Sequence, residues 1–350
     1  MKYLLKIFAI NFLFIFIFIG IIEFVFGDWL KSNNFGYAIR EHRNINIPMS
    51  VKFDGKKYDY FFKRNSLGFI GGEINPEEIK IIFLGGSTGE EMFKPYQHSL
   101  VGKLNEKLFK DKFKYLIVNA SKGGKSTRGY VNDFAYWFSR IEKFNPKVFI
   151  FYIGINDSML NLPGHFDEIE KKNLFEKIED YLKNNSIFYR LKKKKEIKYF
   201  SKIRKYYGLR DENLYKNFKL INYEDAKKKY TKNKLDKNNK IILKNFKKNL
   251  ENLKKIINDK NINPIFITQI KYNGLEDKNL FLINEYLKEF CKTNNYDVIK
   301  LDEMNYNLDE KDFYDNVHTT IKGSEKISNL LYPKLKKYLE RNINHKKQKN

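Results

Sequence analysis

Short apolar runs alternate with amphipathic segments over most of the chain. Runs rich in Ile, Phe, Leu and Val predict strands that are buried on both faces, at residues 80–84, 115–119, 147–153, 263–269 and 297–301. Apolar positions at helical spacing predict helices between them, at residues 99–109, 127–144, 237–258, 279–294 and 321–339. This alternation indicates an α/β protein. We expect a three-layer α/β/α sandwich with a five-stranded parallel sheet.

The amino terminus has a different pattern. Residues 7–26 are almost wholly apolar, interrupted by Asn11 and Glu23. Twenty residues of helix span about 30 Å, the thickness of the hydrocarbon core of a bilayer. We therefore expect residues 1–27 to be a transmembrane signal anchor. A cleaved signal peptide is the alternative, although residues 27–30 offer no small-x-small cleavage site.

Basic residues at the start of the chain predict its orientation. Lys2 and Lys6 precede the apolar run and favour a cytoplasmic amino terminus. The chain would then cross the cytoplasmic (inner) membrane once, with its main body on the extracytoplasmic, periplasmic side.

The rest of the chain divides into three regions, one of which contains an insertion. Residues 28–79 are expected to be a lead-in segment with a small hairpin, and residues 80–340 the main domain. Residues 158–236 interrupt the alternation and predict a basic helical insertion after the third strand. This insertion is either a solvated helical surface or a lid that touches anionic head groups or an acidic glycan. Residues 341–350 form a polar tail.

The charge balance narrows the classes of partner. Lys and Arg total 67 against 42 Asp and Glu, a net charge of +25 at pH 7. Such an excess suits nucleic acid, anionic lipid or acidic glycans. The lysines are spread along the chain, and zinc-finger spacing and RNA-binding signatures are absent, so we expect no nucleic-acid partner. The single cysteine, Cys291, cannot form an internal disulfide and is expected to be a core residue.

Polar residues suited to acyl transfer follow several predicted strands. Ser87 ends the first strand, Gly124 lies in the loop after the second, and Asn156 follows the third. The carboxyl ends of parallel strands share one edge of the sheet, where α/β folds place ligands. Each residue alone has an ordinary role, as a helix cap or a turn residue. Their joint position predicts a nucleophilic serine with oxyanion donors from the Ser87 amide, the Gly124 amide and the Asn156 side chain.

A base for that serine is predicted late in the chain. Asp315 and His318 stand three residues apart, just before the last helix. At this spacing the carboxylate accepts the Nδ1 proton of the histidine, leaving Nε2 to take a proton from serine. The other histidines, His42, His98, His165 and His345, lack such a setting.

Together these segments resemble the four sequence blocks of the SGNH/GDSL hydrolase superfamily, in its membrane-anchored, Gly-Gly-Ser branch. The blocks are residues 84–90, 119–124, 154–157 and 315–318, and residues 65–69 resemble a lead-in found in membrane-anchored members. The resemblance implies a flavodoxin-like sandwich with strand order 2-1-3-4-5, no metal or other cofactor, and a triad of Ser87, His318 and Asp315. Two positions depart from the usual pattern: Gly86 replaces an aspartate, and Ser121 stands where glycine is more usual.

The expected activity is that of a serine esterase. It would remove an acyl group, expected to be O-acetyl, from an extracytoplasmic glycan through an acyl-enzyme. An O-acetyltransferase would use the same residues with a sugar hydroxyl as acceptor, and a lipase or lysophospholipase would need an apolar, membrane-facing lid. A non-enzymatic glycan-binding protein is a fourth hypothesis, against which the intact residue set argues.

Overall fold

Parallel strands form the central sheet, and an antiparallel hairpin precedes them. The computed structural model describes residues 2–30, 43–53, 55–159, 174–189, 191–192, 220–231, 234–304 and 307–344. The described strands are β1 (Ile45–Phe53), β2 (Lys56–Arg64), β3 (Ile81–Gly85), β4 (Ile117–Asn119), β5 (Val148–Tyr152), β6 (Asn263–Ile267) and β7 (Asp297–Ile299). The five-stranded sheet has the order β4-β3-β5-β6-β7, with parallel pairing throughout. This is the predicted order 2-1-3-4-5.

Helices cover both faces of this sheet. The described helices are α1 (Lys2–Phe26), α2 (Ser87–Glu90), α3 (Leu100–Lys110), α4 (Thr127–Tyr136), α5 (Leu174–Asn185), α6 (Tyr223–Tyr230), α7 (Lys237–Asp259), α8 (Lys278–Thr293) and α9 (Ile321–Leu339). Helices α3 and α9 pack together on one face, and α4, α7 and α8 on the other. The structure confirms the predicted three-layer sandwich.

The sequence of the strands explains why both faces are covered. Successive side chains of a strand point to opposite faces. In β3, Ile81 and Phe83 join the cluster under α3 and α9, whereas Ile82 and Leu84 join the opposite cluster. All four side chains are fully buried. A strand that is apolar on both faces requires a helix layer on each side.

One predicted helix is shorter than expected. The apolar spacing predicts a helix over residues 127–144, but α4 ends at Tyr136 and a 3-10 helix, Phe138–Arg140, follows. Trp137 and Phe138 are adjacent, and both are buried. Neighbouring residues of a helix point about 100° apart, so the chain turns here and both rings enter the aromatic cluster around Phe69.

The lead-in segment is joined to the sheet. Strands β1 and β2 form the expected hairpin, and the Ile70 amide then donates to the Asn119 carbonyl on edge strand β4 (2.9 Å). The side chain of Asn65 accepts hydrogen bonds from the Leu67 and Phe69 amides (3.0 and 2.9 Å). These bonds shape the turn between the end of β2 and Ile70. The segment therefore lies against the edge of the sheet.

Helix α1 has the length and composition of a single-pass membrane anchor. Its apolar part, Tyr3–Phe26, has a mean hydropathy of 2.6. Its side chains are exposed over nearly the whole helix. The predicted insertion, residues 158–236, is described in part and contains α5 and α6, while most of its basic run at residues 190–198 lies outside the described residues.

Candidate active site

The first site segment is the turn that joins β3 to α2. Ser87 is the first residue of α2, and the Glu91 amide donates to its carbonyl (2.9 Å), which closes the turn. Ser87 is half-buried, so its hydroxyl lies near the protein surface. Beneath the turn, a Cβ added to Gly89 would lie 2.6 Å from the hydroxyl of Ser121. The serine at position 121 thus requires glycine at position 89.

The second site segment holds an aspartate–histidine pair. His318 Nδ1 lies 2.6 Å from Asp315 Oδ2, while Asp315 Oδ1 accepts hydrogen bonds from the amides of Val317 and His318 (2.8 and 2.7 Å). Burial alone would raise the pKa of Asp315, but the hydrogen bonds and the His318 ring outweigh it and lower that pKa. An ionised Asp315 orients the imidazole and leaves Nε2 to act as a base.

A ring below the histidine adds to this orientation. The ring of Tyr314 stacks parallel to the His318 ring, with 5.5 Å between centroids and an angle of 8°. Tyr314 is itself held in a cluster with Val51 and Phe53 of the hairpin. The lead-in segment therefore supports the histidine loop.

Buried polar contacts join the two site segments. Glu91 Oε1 accepts hydrogen bonds from the hydroxyls of Thr319 (3.0 Å) and Ser324 (2.6 Å). The ammonium of Lys94 pairs with Glu91 and donates to the Thr319 carbonyl (2.6 Å). Burial lowers the pKa of Lys94, although the Glu91 carboxylate opposes this shift. Thr319, which follows His318, is thus bound to Glu91, which lies four positions after Ser87.

The structure shows the pair of Asp315 and His318 hydrogen-bonded to each other, but not to Ser87. Within the part of the chain that the structure describes, no hydrogen bond joins the Ser87 hydroxyl to His318. Approach of Ser87 Oγ to His318 Nε2 is therefore part of the functional proposal below.

The predicted oxyanion residues lie beside the serine turn. A Cβ added to Gly86 would come within 2.2 Å of Asn156 Nδ2, so this amide lies directly against the residue before Ser87. The same nitrogen donates to the Lys125 carbonyl (2.7 Å). The structure therefore requires glycine at position 86, which sequence reasoning treated only as a variant of the family pattern.

The glycine loop completes this arrangement. Gly124 has a φ of +77°, a conformation that favours glycine. A Cβ added to the neighbouring Gly123 would lie 3.8 Å from the Cβ of Ser87. The loop after β4, the Ser87 turn and Asn156 therefore meet at one place on the sheet edge.

Sequence reasoning missed the ion pair that supports this loop. Arg64 Nη2 donates to Glu90 Oε1 (2.7 Å) and to the Ser121 carbonyl (2.6 Å), and Glu90 Oε2 accepts the amide of Gly123 (2.8 Å). The Arg64 side chain is only 2% exposed. Arg64 stands in the lead-in and no local pattern marks it, so the sequence carried no signal for this role.

A fourth strand end also contributes. Gln269 follows β6, donates from Nε2 to the hydroxyl of Thr88 (3.0 Å), and accepts the Ile155 amide at Oε1 (2.8 Å). It thus ties the serine turn to the Asn156 segment. The strand-end argument used for Asn156 would have identified it.

The remaining candidate residues that the structure describes are Cys291 and His98. In the described ranges, no group of three or more His, Cys, Asp or Glu side chains is placed to hold a metal ion. Cys291 is fully buried in α8. His98 packs edge-on against Tyr58 (5.6 Å), and His42, His165 and His345 lie outside the described residues.

A cavity of about 690 Å³ lies between the hairpin and edge strand β4. Its walls include Glu90 and Glu91 but none of Ser87, Asp315, His318 or Asn156. Because none of these four residues lines it, the cavity does not identify the substrate site.

The chain is similar to several solved structures. Over 74% of this chain and 99% of the other, TesA is 10% identical with a TM-score of 0.44. The acetyl xylan esterase AlAXEase is 17% identical over 73% and 100% of the two chains, with a TM-score of 0.41. A member of the lipolytic protein G-D-S-L family from Veillonella parvula is 13% identical over 73% and 97%, with a TM-score of 0.42. No protein-family model and no curated protein matches the chain.

Proposed function

We propose that the protein is a serine esterase of the SGNH/GDSL type, with Ser87 as nucleophile, His318 as base and Asp315 as the carboxylate that orients it. One observation carries this proposal. The 2.6 Å pair of His318 and Asp315 is bound, through Thr319 and Glu91, to the segment that begins with Ser87. An oriented imidazole beside a serine at a strand end is the arrangement that nucleophilic acyl transfer needs.

The reaction proceeds in two steps. Ser87 Oγ attacks the ester carbonyl as His318 Nε2 takes its proton, and the imidazolium then gives that proton to the leaving alcohol. Water, deprotonated by His318, attacks the acyl-enzyme, and the imidazolium returns that proton to Ser87 Oγ as the acid is released. In both steps the oxyanion receives hydrogen bonds from the amides of Ser87 and Gly124 and from Asn156 Nδ2. The contact of Asn156 with Gly86 supports this role.

The proposed substrate is an acylated extracytoplasmic glycan, and O-acetyl is the proposed acyl group. Location supports it, because α1 fits a membrane anchor and Lys2 and Lys6 favour a cytoplasmic amino terminus. The contacts of Glu23 with Ser186 and Ile187 of the main body favour retention of α1, since a cleaved peptide would lose them. The same triad would transfer the acyl group if a sugar hydroxyl replaced water.

A lipase is the second candidate function. The observation that favours it is the exposed apolar side of α5, which lies beside the end of α1. A lipid-facing esterase would accept long acyl chains, whereas a deacetylase would accept only short ones.

The decisive experiment labels the nucleophile. The detergent-solubilised full chain is treated with a fluorophosphonate probe, and the wild type is compared with Ser87→Ala and His318→Ala. The exposed Ser139→Ala variant is the matched control. We expect the wild type and Ser139→Ala to label and the other two variants to lose labelling. Labelling that survives Ser87→Ala would refute the assignment of the nucleophile.

Two further measurements assign the substrate. Acetate release from acetylated polysaccharide, with and without an acceptor sugar, separates hydrolysis from transfer. A series of p-nitrophenyl esters of increasing chain length separates the deacetylase from the lipase.

A further inference from the structure

Helix α5 carries an unpartnered apolar face. Five large side chains on it are between 49% and 83% exposed: Leu174, Phe175, Ile178, Tyr181 and Leu182. At 100° per residue, these positions fall within an arc of about 120°. Glu179 and Lys183 form an ion pair outside that arc. The helix is thus amphipathic, and its apolar face is largely exposed within the part of the chain that the structure describes.

The carboxyl end of α5 is bound to the end of α1. The carboxylate of Glu23 accepts hydrogen bonds from the Ser186 hydroxyl (2.5 Å) and the Ile187 amide (3.0 Å), and the Asp28 amide donates to the Asn185 carbonyl (2.9 Å). The ring of Trp29 lies edge-on to that of Tyr181, 5.9 Å between centroids. The carboxyl ends of α1 and α5 therefore lie side by side, at the same level along the axis of α1.

The length of α1 places that level at a membrane boundary. Its 24-residue apolar stretch, Tyr3–Phe26, spans about 36 Å at 1.5 Å per residue, slightly more than the roughly 30 Å hydrocarbon core. Glu23 and Trp29, at the end distant from the amino terminus, then lie in the interfacial region, where Trp is enriched. The last turn of α5 lies in that region as well.

We propose that α5 lies in the plane of the membrane surface, with its apolar face among the lipid chains. The occupant of this face is the bilayer itself, because the face continues from the point where α1 leaves the membrane. An amphipathic helix of this kind buries its apolar side about 5–10 Å into the boundary between head groups and acyl chains. The net charge of +25 adds attraction to anionic lipids.

This second attachment limits the freedom of the main domain. A single spanning helix allows the domain to rotate about the membrane normal and to tilt. An additional helix of 12 residues, about 18 Å long, fixes the tilt.

The test measures which molecules surround each side of α5. Single cysteines are placed in a Cys291→Ser background of the full chain, at Phe175, Ile178 and Leu182 on the apolar side and at Glu179 and Lys183 on the polar side. Each is labelled with an environment-sensitive fluorophore in nanodiscs that contain phosphatidylcholine and phosphatidylglycerol. A thermal melt of each labelled protein confirms that it is folded.

We expect nitroxide-bearing lipids to quench most of the fluorescence of the three apolar-side labels and little of the other two. A nitroxide near the head group should quench more than one near the chain terminus, given a depth of about 5–10 Å. Aqueous iodide should give the opposite pattern. Quenching of the apolar-side labels by iodide as strongly as Glu179→Cys would overturn the proposal. Protection from both quenchers would also overturn it, since protein would then cover the face.

Discussion

Replacement of Lys94 by methionine should destabilise the protein strongly. The side chains of Lys94 and Glu91 are 0% and 3% exposed, so their charges are shielded from water. Removal of one partner of a buried ion pair leaves the other uncompensated and costs roughly 3–5 kcal/mol. The Thr319 carbonyl also loses its donor. Because Glu91 keeps its contacts with the hydroxyls of Thr319 and Ser324, we expect a loss of about 4 kcal/mol.

A second variant separates charge from packing. In Lys94→Met combined with Glu91→Gln, the neutral amide oxygen still accepts from Thr319 and Ser324, and no unpaired charge remains. The amide nitrogen then faces the Leu100 amide, which Glu91 Oε2 accepts in the wild type, so part of the loss persists. Buried pairs replaced by neutral groups are often near-neutral in stability, so the double variant should be more stable than Lys94→Met alone. Lys110→Met, which breaks an exposed pair with Glu106, is the control and should leave stability unchanged.

The assay is urea unfolding in detergent, followed by tryptophan fluorescence, to which the buried Trp137 contributes. Activity of the surviving folded protein is measured beside it, because Lys94 holds the loop that carries His318 and its loss should lower kcat more than it changes KM. The reasoning about a buried pair is wrong if Lys94→Met is no more destabilising than Lys110→Met. It is also wrong if the losses of stability caused by Lys94→Met and by Glu91→Gln, each measured alone, simply add in the double variant.

Three further predictions concern the site. Asn156→Ala should lower kcat by about 10²–10³-fold, as expected for loss of an oxyanion donor. Gly86→Ala should act on the same group, because its Cβ would displace the Asn156 amide, so the two effects on kcat should not add. Gly72→Ala, whose Cβ meets nothing within 4 Å, is the control. Arg64→Lys keeps the charge but loses the fork, in which Nη1 reaches the Gly68 carbonyl while Nη2 reaches Glu90 and the Ser121 carbonyl. We therefore expect kcat to fall roughly 10-fold or more through misplacement of the glycine loop, with KM unchanged; equal activity would exclude a positioning role. The folded pKa of Asp315 lies below its ordinary value of 3.8, so the stabilisation of the folded protein by ionised Asp315 should be present above about pH 4 and disappear as the pH falls through the lower folded value. The difference in urea midpoint between wild type and Asp315→Asn should therefore shrink over that range. A difference that does not depend on pH would contradict the prediction.

The strand-end argument predicted which segments would meet. Apolar runs fixed the place of each parallel strand, and a parallel sheet brings its carboxyl ends to one edge, so the approach of Asn156 to the Ser87 turn followed from the sequence. The same argument would have included Gln269. The pair of Asp315 and His318 was also predictable, because a spacing of three residues within one loop constrains both side chains.

The supporting contacts could not be predicted in this way. Lys94 is one of 67 Lys and Arg residues, and only its tertiary partners distinguish it from a surface lysine. Arg64 is buried by a glycine loop and a glutamate that are remote in sequence. The early end of α4 depended on where Trp137 and Phe138 find aromatic neighbours, which helical spacing alone does not encode.

The contact between Lys94 and Thr319 has a consequence for the order of folding. The two residues are separated by 225 positions in the chain, and contacts so distant form late, after the entropic cost of closing the intervening chain has been met. A chain made from its amino terminus has its serine turn complete long before the ribosome reaches the histidine. In the proposed mechanism, the nascent protein therefore carries Ser87 without its base until translation has passed His318.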